Sequence, residues 1–137
     1  MSAFLTPVQT AFYTRLAAEV STATTYDDVP GQSEGMPDES FPYIVIGEDD
    51  STSWDTDDTL GSVVLCTLHV FSRYEGKKEV KAVMGAVYDA LHRQAANLTA
   101  TGYRFVDCLH DFSEVVDDND GVTRHGICRY RVTLEKE

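Results

Sequence analysis

Between Arg15 and Arg73 the sequence has no Lys and no Arg. The same stretch holds Asp27, Asp28, Glu34, Asp38, Glu39, Glu48, Asp49, Asp50, Asp55, Asp57 and Asp58. Over all 137 residues, 11 basic side chains stand against 23 acidic ones, a formal net charge of -12. A tight, sequence-reading grip on nucleic acid needs clustered Lys and Arg to neutralise phosphates, and this composition argues against one. Lys77, Lys78, Lys81, Arg93, Arg104, Arg124, Arg129 and Arg131 occupy the second half. One acidic half and one mixed half suit head-to-tail docking between copies, or docking on a basic partner. Simple solubility accounts for the same charge without any partner.

Long apolar runs are also missing. No stretch approaches the roughly 20 apolar residues that a bilayer crossing needs. The opening Met1-Ser2-Ala3-Phe4-Leu5-Thr6-Pro7 lacks a basic segment followed by an apolar one, so no signal peptide is expected. The expectation is a soluble protein made in a cytoplasm, with no membrane partner. Cysteine is scarce: Cys66, Cys108 and Cys128 are far apart, and each sits inside an apolar-alternating run. Buried, reduced thiols are expected, the alternative being one disulfide with a thiol left over. A hydrophobic fraction of 42% and an aromatic fraction of 10% exclude wholesale disorder. The length fits one domain spanning 1–137.

Motifs that carry chemistry are absent as well. No G-x-S-x-G elbow occurs, and Gly31, Gly35 and Gly47 have neither the spacing nor the following helix of a phosphate loop. Asp117 to Gly121 looks superficially like a calcium loop. Val116 stands where the first ligand belongs, however, and Ile127 where a bidentate Glu is needed, so a hairpin turn is expected. Cys66 with His69, Cys108 with His110, and His125 with Cys128 could in principle converge on zinc. Residues three apart on a strand point to opposite faces, which argues against it. No enzyme activity, cofactor or metal is expected.

What is present is a clear succession of periodic segments. Phe4, Leu5, Val8, Phe12, Leu16 and Val20 recur at helical spacing behind a Thr6-Pro7 start, with the helix ending near Ser21 to Thr25. Tyr26 to Val29 reads as a short edge strand, and Pro30, Gly31, Gly35, Pro37 and Pro42 punctuate the loop after it. Phe41 to Gly47 reads as a central strand covered on both faces. Glu48 to Asp58 is acidic around Trp54, either an exposed loop or the tip of a long hairpin. Leu60 to Ser72 is the next strand, with Val64, Cys66, Leu68 and Val70 on one face. Glu75 to about Ala96 is a helix with the stripe Val80, Val83, Met84, Val87 and Leu91. Tyr103 to Val116 and Val122 to Leu134 then form a hairpin around Asp117 to Gly121. The fold class expected is α+β, a mostly antiparallel sheet of four to five strands with two helices packed against it. Trp54 has two readings: a ring that folds its loop back onto the sheet, or an anchor inserted into a neighbouring subunit.

Several segments together resemble one family. They are the N-terminal helix; Val29-Pro30 followed by Phe41-Pro42-Tyr43-Ile44-Val45-Ile46-Gly47; the strand ending Leu68-His69-Val70-Phe71-Ser72-Arg73; the helix from Glu75; and the close from Asp118 to Leu134 with Thr123-Arg124-His125-Gly126. In order and length they resemble the tail terminator (tail completion, tail-to-head joining) proteins of siphophages and gene transfer agents. The resemblance implies a structural protein of the virion, a homohexameric ring assembled in the host cytoplasm at the head-proximal end of the tail. Such a ring caps the tail tube, stops its polymerisation, meets the head–neck connector protein and lets DNA pass through without specific binding. Glu48, Asp49, Asp50, Asp55, Asp57 and Asp58 are then candidate channel or interface acids, and Trp54 a candidate interface anchor. Lining a channel, the acids would repel phosphates; they could equally face a basic partner. Rival readings are another neck or connector component, and a small-ligand-binding or catalytic α+β domain.

Overall fold

The computed structural model describes residues 4–26, 41–74, 76–117 and 121–137. Helix α1 (Leu5–Glu19) buries Pro7, Val8, Ala11, Phe12 and Leu16. Thr6 does not cap it: the helix begins at Leu5 after Phe4, and Thr6-Pro7 lies inside the first turn. Pro7 is tolerated there because first-turn amides have no intrahelical acceptor. The extended backbone of Val20 ends the helix, its N–H donating to the Leu16 carbonyl at 2.9 Å.

Strand β1 (Thr24–Tyr26) follows almost at once and pairs in parallel with β2 (Tyr43–Ser53). It begins two residues before the expected Tyr26, using β-branched threonines, while Asp27 to Val29 lie outside the described residues. β2 turns into β3 (Gly61–Ser72), which pairs antiparallel with β5 (Arg124–Lys136), and β5 pairs antiparallel with β4 (Tyr103–Asp117). The result is an α+β fold with a five-stranded, mostly antiparallel sheet in the order β1-β2-β3-β5-β4.

Both helices lie on one face of the sheet. Val64, Cys66, Leu68 and Val70 of β3 and Cys128, Tyr130, Val132 and Leu134 of β5 alternate into the core beneath them. Helix α2 (Lys78–Leu91) adds Val80, Val83, Val87, Ala90 and Leu91, while Met84 packs at the margin. α2 is shorter than the expected Glu75 to Ala96. Left-handed backbone at Gly76 (φ 83) precedes it, extended backbone at His92 ends it, and left-handed Arg93 (φ 61) and a single 3₁₀ turn at Ala95–Asn97 follow. Gly126 lets α2 approach β5: a Cβ there would sit 2.5 Å from Met84 Sδ and 3.1 Å from Val80 Cγ2. Arg15 ties the helices together, its Nε donating to the Ala90 carbonyl at 2.9 Å.

The opposite face carries no helix among the described residues. The expectation that β2 has both faces covered holds on this side only at Tyr43, which neighbouring rings bury, and Val45 stays half-buried. Tyr43 stacks on Phe71 with centroids 5.1 Å apart, and Phe41 and Tyr26 pack on Tyr43 at 4.9 and 5.9 Å. Val45, Leu65 and Ile127 are left half-buried on this open face.

Candidate functional site

Of the two readings of Glu48 to Asp58, the structure has the long hairpin. β2 continues as strand through Glu48, Asp49 and Asp50 to Ser53, and only Trp54 to Leu60 form the tip. The register shifts between Ile46 and Asp49, so Gly47 and Glu48 together stand opposite Thr67. That extra residue sends the three acids to different places. Asp49 pairs with Cys66 on the helix side, where burial first and Asp50 second push its carboxyl above the ordinary range. Asp50, opposite Leu65, is exposed on the open face.

Glu48 hydrogen-bonds to His69 Nε2 at 2.6 Å, and that bond is the main reason its carboxyl titrates below the usual range. His69 Nδ1 in turn lies 2.8 Å from His125 Nε2 on β5. His125 stacks on Phe71 at 4.4 Å. Gly47 makes room for this chain of groups, since a Cβ there would meet His69 Cδ2 at 2.5 Å. The sequence reading missed the Glu48–His69–His125 line, because it joins β2, β3 and β5 across registers that no local pattern announces.

The tip is an organised turn. Trp54 N–H donates to the Gly61 carbonyl at 2.9 Å, Gly61 N–H to Asp55 Oδ1 at 3.0 Å, and Thr56 N–H to the Thr59 carbonyl at 2.8 Å. Asp58 Oδ1 accepts from the Thr56 and Thr59 hydroxyls, both at 3.2 Å. Asp55 and Asp58 therefore shape the turn, and Asp57 projects from it exposed. The Trp54 ring packs at the base of the tip, Cε3 lying 2.9 Å from where a Gly61 Cβ would be, and the residue is 40% exposed. Leu60 beside it is 54% exposed. The structure thus gathers Trp54, Asp55, Asp57 and Asp58 at one sheet end and leaves Glu48, Asp49 and Asp50 farther along the strand.

The cysteines are free and buried in the core. Burial pushes the Cys108 and Cys128 thiols up to about 12 and moves Cys66 in the same direction. His69, by contrast, bonds to Glu48 and His125 rather than to any of them. Among the described residues no group of three or more His, Cys, Asp or Glu is arranged to hold a metal ion. Most of the Asp117 to Gly121 turn lies outside those residues. Nor is any helix of the described residues long and apolar enough to cross a membrane.

The described surface thus has an acidic tip with a half-exposed indole and an aromatic open face. The sequence model of the family described as tail completion protein gp17 matches residues 10–135. The chain belongs to this family. It is 32% identical over 97 residues to the tail completion protein gp17 of Bacillus phage SPP1, an alignment covering 71% of this chain and 70% of that one. A chain from the virion of a native gene transfer agent particle superposes with a TM-score of 0.78, covering 98% of this chain and 99% of that one at 23% identity. That likeness is one of fold. Tail completion proteins are structural components of phage particles.

Proposed function

We propose that residues 1–137 act as one domain that completes the tail as a homohexameric ring on the head-proximal end of the tail tube. The ring stops tube polymerisation and presents its other side to the head–neck connector protein. The observation that carries this reading is the family match over residues 10–135. The structure supports it with a sheet face that no helix of the described residues covers and with Trp54, Leu60, Phe112 and Val116 left exposed on one small chain. Assembly takes place in the host cytoplasm, and the finished ring stays in the virion. DNA passing through meets copies that each carry a net charge of -12, so its phosphates are repelled rather than bound.

Light scattering on the purified chain, with negative-stain images, tests the ring. The expected result is a closed species of six chain masses, in solution or seated on the ends of added tail tubes. A chain that stays monomeric and leaves tube ends bare would overturn the reading.

A further inference from the structure

A second surface of the molecule is complementary to the hairpin tip. Lys77, Lys81, Met84 and Gly85 of α2 and Ser113 to Val115 of β4 line a groove of ≈ 490 Å³. Lys77 and Lys81 are exposed, and among the described residues neither forms an ion pair. Glu114 is the one acid in the lining, against two lysines. Met84 and Val115 give the groove an apolar wall, and a thioether adapts readily to the shape of what it meets. Gly85 is the independent observation. It sits in the interior of α2, where Gly is less stable than Ala, and nothing lies within 4 Å of where its Cβ would be. No contact among the described residues needs that residue to be small, whereas a group entering the groove does.

The groove and the tip lie at opposite ends of the sheet. Gly61, at the base of the tip, pairs with Glu135 of β5, whereas Val115 of the groove pairs with Gly126 of the same strand. Those β5 positions are about 30 Å apart at the usual strand rise. A tip therefore cannot reach the groove of its own chain. It offers Trp54 and Leu60 as exposed apolar groups beside Asp57 and Asp58, which matches apolar walls beside lysines. We infer that the hairpin tip of one copy docks in the Lys77–Lys81 groove of a second copy. The contact is heterologous, joining different surfaces of the two molecules, and such a contact generates a ring when its rotation closes. The inference rests on the ring reading and adds which surfaces form the joint. It also assigns Asp57 and Asp58 to a contact between copies rather than to the channel.

A charge-swap experiment tests it. Asp57 is the acid to change, because Asp55 and Asp58 hold the turn together. Asp57→Lys alone and Lys81→Glu alone should each weaken self-association at least tenfold, measured by light scattering across concentration. Mixing the two variants should restore it, since each tip then meets a groove of opposite charge. A chain carrying both changes should also assemble, and Trp54→Ala should weaken association at least tenfold without altering the far-ultraviolet spectrum. Should the single variants be poorly folded, Asp57→Cys with Ser113→Cys gives a second route. Under oxidation that chain should form a covalent ladder of multimers, the native thiols being buried. Rings that form equally well with every variant would overturn the inference and leave the ring reading standing. Loss of tube binding with unchanged self-association would assign the tip to another protein and overturn the inference too. A wild-type chain that never associates, in solution or on tubes, would overturn both.

Discussion

Raising the pH from 8 to 10 should remove roughly 4 kcal/mol of stability through the three cysteines, about a third of it through each. The cause is burial. Cys108 and Cys128 are held up to about 12 from an ordinary 9.0, and Cys66 is displaced in the same direction. Once the chain unfolds, its thiols ionise above their ordinary value, while the folded thiols keep their protons. The unfolded state therefore binds fewer protons between pH 9 and 12, and stability falls as pH rises through that window. Urea midpoints at pH 8 and pH 10 give the measurement. A Cys128→Ala chain should show a pH-dependent loss smaller by about a third, although its stability is lower at both values. Equal pH-dependent losses in the two chains would contradict the account.

Replacing Tyr130 with Ala should cost about 3–5 kcal/mol, a large share of the total stability of a small domain. Tyr130 is 1% exposed in the middle of β5. Its ring meets Phe12 of α1 edge-on at 6.4 Å and His110 of β4 at 5.4 Å. It therefore joins the helix layer to the sheet, and its removal leaves a cavity bounded by both. Chemical denaturation should show a lower midpoint with an unchanged slope. Tyr130→Phe keeps the ring and both edge contacts and is expected within about 1 kcal/mol of the native chain. A Tyr130→Ala chain as stable as the native one would mean that the ring is not a joint of the core.

Much of the fold was legible because its core face is almost wholly apolar and recurs with strand and helix periods. The alternation of Val64, Cys66, Leu68 and Val70, and of Gly126 to Leu134, reads directly as two strands with one buried face. The stripe of α2 is equally plain, and its ends were misjudged only because left-handed backbone at Gly76 and extended backbone at His92 leave no mark in hydrophobic periodicity. The extension of β2 through Glu48 to Ser53 was hidden for a different reason. A bulge at Gly47 and Glu48 breaks the alternation, and acids on an exposed strand look like a loop. Parallel pairing of the three-residue β1 lies below what local pattern can show.

The candidate site divides along the same line. Trp54 and its acids are contiguous in the chain, so the tip could be singled out before its shape was known. Glu48, His69 and His125 meet only through strand register, and Lys81 and Val115 line one groove only because α2 runs beside β4. Such pairings are facts of tertiary packing, and a single sequence does not contain them in readable form.

We propose that this chain ends tail growth by capping the tube. The most direct test is the length distribution of tail tubes assembled from purified tail tube protein while this chain is added in increasing amounts. The account predicts that tubes shorten and stop growing as the chain is added, each arrested end carrying a ring. Tubes that keep growing at an unchanged rate, with their ends unoccupied, would contradict it.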